Sequence, residues 1–252
     1  MSTPTIEQIE QHGSVRNYRS EPVSRQVIKQ IVHAGQRAST SSNLQTYSVV
    51  VTEDQQVRER LQDLCGNQQH IGQAPVFLTW CADFSRLGRV CQQQGYPLEA
   101  GYLENFLVSA VDCALAMQNA GLAAESLGLG FCYIGAIRNQ PSEIISLLEL
   151  PQYVFPVSGM TLGWPVQSPR IRPRLPLEAV LHWERYDEDD LDELQAYDQE
   201  MISTGIYSGR QVSGPSAPED RYGWMEHSAR RVAKPSRPDL REAVEGAGFS
   251  LK

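Results

Sequence analysis

Three anion-binding side chains recur at alternate positions in one short stretch, His12-Gly13-Ser14-Val15-Arg16-Asn17-Tyr18. Alternate residues of an extended chain share a face, so His12, Ser14 and Arg16 present an imidazole, a hydroxyl and a guanidinium to one ligand. A second basic comb follows in Pro169-Arg170-Ile171-Arg172-Pro173-Arg174-Leu175-Pro176. Its prolines keep the chain extended and set Arg172 and Arg174 about 6 to 7 Å apart on one side, a spacing that suits a phosphate. Each guanidinium to phosphate bond contributes roughly 1.5 to 3 kcal/mol where water is partly excluded. By itself this octapeptide also suits a solubilising edge strand. Taken with the hydroxyl tract Ser39-Thr40-Ser41-Ser42-Asn43, the two combs make a cradle for a phosphorylated ligand with a polar tail.

The chain offers little else that reacts. It has no G-x-S-x-G elbow, and its five cysteines (Cys65, Cys81, Cys91, Cys113 and Cys132) are scattered without a C-x-x-C pair. That pattern fits reduced thiols and gives neither a disulfide framework nor a zinc knuckle. His182-Trp183-Glu184 has the H-x-E letters of a zinc deaminase but no P-C-x-x-C follows, so no metal site is expected. Gly128-Leu129-Gly130-Phe131-Cys132-Tyr133 begins like a dinucleotide fingerprint. Tyr133 takes the third glycine position, however, and the stretch follows a helical pattern instead of a strand. A polar-tailed phosphate held by a chain without nucleophile or metal points to a flavin nucleotide that carries the chemistry itself.

Composition sets the bounds. The 252 residues are 41% apolar and 21% charged, as in an ordinary globular protein. The net charge of -8 argues against a nucleic-acid backbone as main partner. No apolar run reaches the roughly 18 to 20 residues of a membrane span, and the opening residues MSTPTIEQIEQ lack a basic and then an apolar region. The expected location is the cytoplasm.

The positioning elements follow from periodicity and punctuation. Thr3-Pro4 starts a short helix that Gly13 ends, and Ser24 caps a second with Val27, Ile28, Ile31 and Val32 on one face to about Arg37. Residues 47–52 and 75–82 are strand-length runs of β-branched and aromatic residues. From Glu99 to Leu127 runs a helical pattern, apolar nearly all round and crowded with small residues, which must be buried by its own core or by a second subunit. It reads as a central helix that also forms a dimer interface. Phe131 to Ile137 reads as a buried strand, Pro141 opens a helix to Leu150, and 155–162 is a fourth strand. Strands and helices mix without regular βαβ alternation, so the class is α+β. Glu184 to Glu200 reads as an acidic solvated helix, Ser203 to Pro218 as a mobile Gly, Ser and Pro-rich loop, and the segment after Pro238 as a basic helix. No internal repeat or interdomain linker is visible.

The chain resembles, nearly end to end, the oxygen-insensitive NADPH nitroreductase and NADPH:FMN oxidoreductase group of the nitroreductase (flavin reductase) superfamily. Seven pieces in order carry the resemblance: H-x-S-x-R (His12, Ser14, Arg16), Ser39 to Gln45 (STSSNLQ), Gly66 to His70 (GNQQH), Ala123 to Gly130 (AAESLGLG), Tyr133 to Asn139 (YIGAIRN), Leu162 to Pro165 (LGWP) and Arg172 to Pro176 (RPRLP). The resemblance implies one nitroreductase-like domain over 1–252, with a mobile lid around 203–222 and a C-terminal extension, 223–252. The implied architecture is an α+β sandwich, a central antiparallel-type mixed sheet flanked by helices, in an intertwined homodimer with FMN at the interface.

By match of motif, His12, Arg16, Arg172 and Arg174 hold the FMN phosphate, and Ser14, Thr40, Ser42 and Gln68 meet the ribityl chain and ring edge. Gly13 and Val15 complete the first cofactor-binding stretch. Tyr133, Ile134, Gly135 and Ala136 run beside the isoalloxazine, with the Gly135 amide donating to flavin N5. The implied chemistry is ping-pong: NADPH reduces FMN, and a nitroaromatic, quinone or free flavin takes the two electrons, with no catalytic side chain beyond the flavin. Arg210, with Arg221 second, is the candidate for the NADPH 2'-phosphate. Three departures stand out: Gly13 replaces a residue commonly Arg, Ala136 a common Gly, and Asn43 a position often aromatic and near the substrate. The same scaffold also hosts dehalogenating and flavin-consuming enzymes, and a flavin-binding or flavin-delivering protein would share the cradle.

Overall fold

The structure, a computed structural model, describes residues 2–215 and 217–252, so Ser216 of the expected lid lies outside the described residues. These residues group into two compact units, one up to Arg170 together with Asp239–Lys252, the other within Ile171–Pro238. The tail set apart as 223–252 is therefore divided between them.

In the first unit the helices are α1 (Pro4–Glu10), α2 (Arg25–Gly35), α3 (Gln55–Leu64), α4 (Gln69–Gln73), α5 (Ser85–Gln94), α6 (Leu103–Ser126), α7 (Pro141–Leu147) and α10 (Leu240–Gly246). The second unit holds α8 (Leu191–Ser203) and α9 (Trp224–Val232). The strands are β1 (Tyr47–Thr52), β2 (Val76–Asp83), β3 (Gly130–Ile134) and β4 (Val154–Gly163), in the order β1-β2-β4-β3 with every pairing antiparallel. The α+β class holds. β2 is buried along its whole length, which fits its run VFLTWCA, apolar but for Thr79.

Above the sheet, α6 packs against α2 and β2, joining Ile28, Ile31, Trp80, Ala116, Ala120 and Phe131 in one core. Small residues on α6 permit this approach: a Cβ at Gly121 would meet Phe131 Cζ and the Tyr133 hydroxyl at 2.7 Å. Trp80 is fully buried, and removing such a side chain costs about 3 to 5 kcal/mol. By length and composition α6 is apolar enough to cross a membrane, yet it buries Ser109, Asp112, Cys113, Ala116, Ala120 and Ala124 inside this unit.

Three expectations change. The strand expected to reach Ile137 stops at Ile134, where the chain enters a 3-10 turn, Gly135–Arg138. Ile137 is fully buried there, and Arg138 Nη1 donates to the Val157 carbonyl. The acidic helix begins at Leu191 instead of Glu184. Glu184 has a φ of 61°, and the Asp187 carboxylate accepts from Asp189 N at 3.1 Å, a local bond that competes with helix. α1 ends at Glu10, so Gly13 is not its stop signal.

Candidate functional site

Residues 12–17 belong to no helix or strand, and they alternate in burial as a strand does. Gly13 and Val15 are buried while Ser14 and Arg16 are exposed, with His12 partly so. Val15 N donates to the Phe131 carbonyl at 2.8 Å, which ties this edge to β3. The Val15 side chain packs with Tyr18 and Ala74, so only its backbone can meet a ligand. Gly13 is forced by close approach, since a Cβ there would lie 2.7 Å from Pro169 Cβ and 3.0 Å from the Arg170 carbonyl. An arginine at position 13 would need that neighbouring loop to move.

His12 Nδ1 lies 2.6 Å from Glu125 Oε1, and its ring packs on Phe131 at 5.2 Å. A carboxylate accepts only, so the proton sits on Nδ1. The second oxygen, Oε2, is buried with no partner. Among the described residues Arg16 forms no ion pair. Beside it His70 is buried with its Nε2 unpartnered, and burial, helped by the Arg16 charge, lowers its pKa to about 4.

The hydroxyl tract is an unusual loop. Ser42, Asn43 and Gln45 have φ of 47°, 57° and 53°, left-handed values that non-glycine residues seldom adopt. The buried Asp112 carboxylate of α6 holds it, accepting from Ser41 N at 3.0 Å, Thr46 N at 3.1 Å and Thr46 Oγ1 at 2.9 Å. Thr40 is half-buried and Ser42 and Asn43 are exposed, with Gln45 Nε2 donating to Asn43 Oδ1 at 3.4 Å. Gln68, at the start of α4, donates to the Cys65 carbonyl at 2.9 Å.

At the end of β3, Tyr133 is half-buried and its hydroxyl lies 3.1 Å from the Met117 carbonyl. Burial, with the Glu125 charge adding, raises its pKa and keeps it a donor. Ile134 packs into a core cluster, so it offers backbone alone. Gly135 and Ala136 open the 3-10 turn, where the first N–H groups lack intrahelical acceptors and suit an electron-rich ring edge. The thiols give no nucleophile: burial pushes Cys65 and Cys113 up to about 12.

In the second unit Arg172 and Arg174 are exposed, and Arg174 Nη1 turns back to the Arg172 carbonyl at 3.2 Å. Arg210 and Arg221 are exposed. The loop around them is tied down by contacts the sequence did not suggest. Val212 N donates to the Tyr222 hydroxyl at 2.8 Å, which lies 3.2 Å from His227 Nδ1. Tyr207 stacks on His227 at 4.3 Å, and Arg230 donates to the Val212 carbonyl at 3.0 Å and the Pro215 carbonyl at 2.7 Å.

In the first unit the donor set fits FMN. An exposed cation, an imidazole and a hydroxyl share one edge, a hydroxyl loop lies on a separate segment, and backbone N–H groups open a turn. Fold and donors together define an anion-cradling α+β protein in which burial holds the Cys65, Cys81 and Cys113 thiols protonated. The nitroreductase family model matches residues 9–164, and the model of that family's C-terminal domain matches residues 172–252. The chain belongs to the nitroreductase family. An FMN reductase [NAD(P)H] of Bacillus subtilis (strain 168) is 39% identical over 251 residues, 98% of each chain. An oxygen-insensitive NADPH nitroreductase of Salmonella typhimurium is 37% identical over 250 residues, 99% of this chain and 100% of its own. The solved NADPH:FMN oxidoreductase from Vibrio harveyi complexed with NAD+ is 34% identical, with a TM-score of 0.88 over 99% of this chain and 100% of its own.

Proposed function

We propose that this chain is an FMN-dependent oxidoreductase that draws two electrons from NADPH and passes them to small acceptors such as nitroaromatics, quinones or free flavin. The observation that carries the reading is the edge of His12, Ser14 and Arg16, with Arg16 exposed and in no ion pair among the described residues. When bound, FMN supplies hydride acceptance and donation at its ring. His12 and Arg16 hold its phosphate, and Ser14, Thr40, Ser42 and Gln68 hold its polar tail and ring edge. The backbone of residues 133–136 lines the ring, and the Gly135 N–H is the donor directed to N5. Arg210, with Arg221, meets the 2'-phosphate of NADPH. The names of the three relatives, each of which includes FMN or NADPH, support both cofactors.

The working form is a homodimer in the cytoplasm. Leu103, Leu107, Val111 and Leu115 form an exposed apolar row at a spacing of four along α6, which a second copy would cover. The five free cysteines suit a reducing compartment.

The test is the visible absorption spectrum of purified protein under anaerobic conditions, before and after NADPH and then after a nitroaromatic. Bleaching by NADPH and recovery with the acceptor is the expected result. Protein that stays colourless after FMN is added would remove the cofactor, and a flavin spectrum that NADPH never bleaches would leave a flavin carrier.

A further inference from the structure

Between Glu104 and Glu125 the long helix α6 carries one charged side chain, Asp112, which is 1% exposed. A buried carboxylate is expensive unless its oxygens are hydrogen-bonded, and both are. Oδ1 takes Ser41 N, while Oδ2 takes Thr46 N and Thr46 Oγ1. Thr46 is itself fully buried, and its carbonyl accepts from Asp83 N at 2.9 Å, so this end of the loop is anchored to the sheet as well.

Between the two anchors, Ser41 and Thr46, lie Ser42, Asn43 and Gln45, three non-glycine residues with left-handed φ. No glycine relieves that backbone, and a free loop of this sequence would relax toward ordinary φ values. What over-determines the conformation is the carboxylate. Its helix and the loop also wall a single cavity of about 440 Å³, lined by Thr40, Ser41, Val111 and Asp112 among others.

We propose that Asp112 is a positioning residue: through Ser41 and Thr46 it holds the left-handed turn that presents the Thr40 and Ser42 hydroxyls to the cofactor. This rests on the FMN reading above. Asp112 touches no reacting atom, and it acts by keeping the loop in the one conformation that the ligand needs. Each bond it accepts comes from the loop, so loss of the carboxylate releases the Ser41 end and leaves the Thr46 end on its carbonyl bond to Asp83 N.

The test is FMN affinity, read from quenching of FMN fluorescence during titration, in a double-mutant cycle. Ser42→Ala in the parent should weaken binding several-fold, and Asp112→Asn should weaken it at least tenfold. In the Asp112→Asn background Ser42→Ala should add nothing, because its hydroxyl is already misplaced, while Arg16→Ala should cost the same factor in both backgrounds. If Ser42→Ala costs its full factor in the Asp112→Asn protein, the positioning role is wrong. Should Asp112→Asn fail to fold by circular dichroism, Thr46→Val and Thr46→Ser replace it. The valine removes one bond at nearly constant volume and should weaken FMN several-fold, and the serine restores the hydroxyl and should recover affinity. Equal affinity in all three proteins overturns the proposal. A parent that never quenches FMN removes the FMN reading together with it, whereas a parent that binds and variants that match it remove Asp112 alone.

Discussion

The Glu125 carboxylate sits 2.6 Å from His12 Nδ1 at the C-terminal end of α6, so the side chain that orients the imidazole comes from 113 residues further along the chain. With Nδ1 donating to Glu125, the ring orientation is fixed and its Nε2 edge is turned away from the carboxylate. Glu125→Gln keeps the shape but removes the charge, and its amide can present a donor to Nδ1. FMN affinity should fall about three- to tenfold, within the range for a charge-assisted bond that is partly exposed. Titration by fluorescence quenching checks this, and unchanged affinity would make the pair purely structural.

Arg16 faces solvent without a carboxylate partner among the described residues, so its charge is available to a phosphate. Arg16→Ala should weaken FMN binding about tenfold, and Arg174→Ala should weaken it by a similar factor. Both losses should shrink as salt rises, because the lost interaction is screened. A variant that retains FMN like the parent, through dialysis at low salt, would take that arginine out of the cradle.

His70 gives the cofactor-free protein an acid limb. Its folded pKa of about 4 lies below the ordinary 6.5, because the buried ring disfavours the cation and Arg16 repels it. Between those values the unfolded chain binds a proton that the folded chain refuses, so stability is full above about pH 6.5 and falls as pH drops toward 4. The loss is at most on the order of 3 kcal/mol. Thermal melts from pH 7.5 to 4.5 should show a shallower decline for His70→Gln than for the parent, and parallel declines would rule His70 out.

Val111 stands near the middle of the exposed row on α6, 48% exposed. Val111→Asp would place a charge in the face proposed to meet a second copy, and the association constant should fall at least about a hundredfold. Sedimentation velocity at micromolar concentration should change from dimer to monomer. A parent that sediments as a monomer would dismiss the dimer directly.

Much of this was legible because local rules agreed. The ends of β1 and the caps Thr3 and Ser24 follow from turn and capping chemistry that acts over a few residues. The alternation from His12 to Arg16 is likewise visible, since Gly13 and Val15 leave no polar group to bury. What stayed hidden depends on contacts far apart in sequence. Glu125 was part of a recognised motif, yet nothing local ties it to His12. Asp112 did leave a signal, a lone charge inside an apolar helix, which demands a buried partner. α3 was missed because its pattern QQVRERLQDL is mostly polar, with Leu61 and Leu64 doing most of the packing. The ties around the 203–222 loop come from Tyr222, His227 and Arg230, a cluster with no spacing rule to announce it.

Arg210 follows a short turn in which its own N–H donates to the Tyr207 carbonyl at 2.9 Å, while the Tyr207 ring is stacked on His227. The backbone beneath Arg210 is therefore held, and its exposed side chain is left to reach for a ligand. Gly209 N donates to Glu219 Oε1 at 3.1 Å, which ties the same turn to the segment carrying Arg221. Two arginines on two tied segments suit the extra phosphate that separates NADPH from NADH. Arg210→Ala should raise KM for NADPH about tenfold and leave KM for NADH within about twofold, with kcat little changed for either, since the lost contact is remote from the hydride. Arg221→Ala should do the same more weakly. Steady-state kinetics with both nucleotides at fixed acceptor decide it: equal effects on the two would detach Arg210 from the 2'-phosphate, and a fall in kcat alone would assign it to closure of the loop.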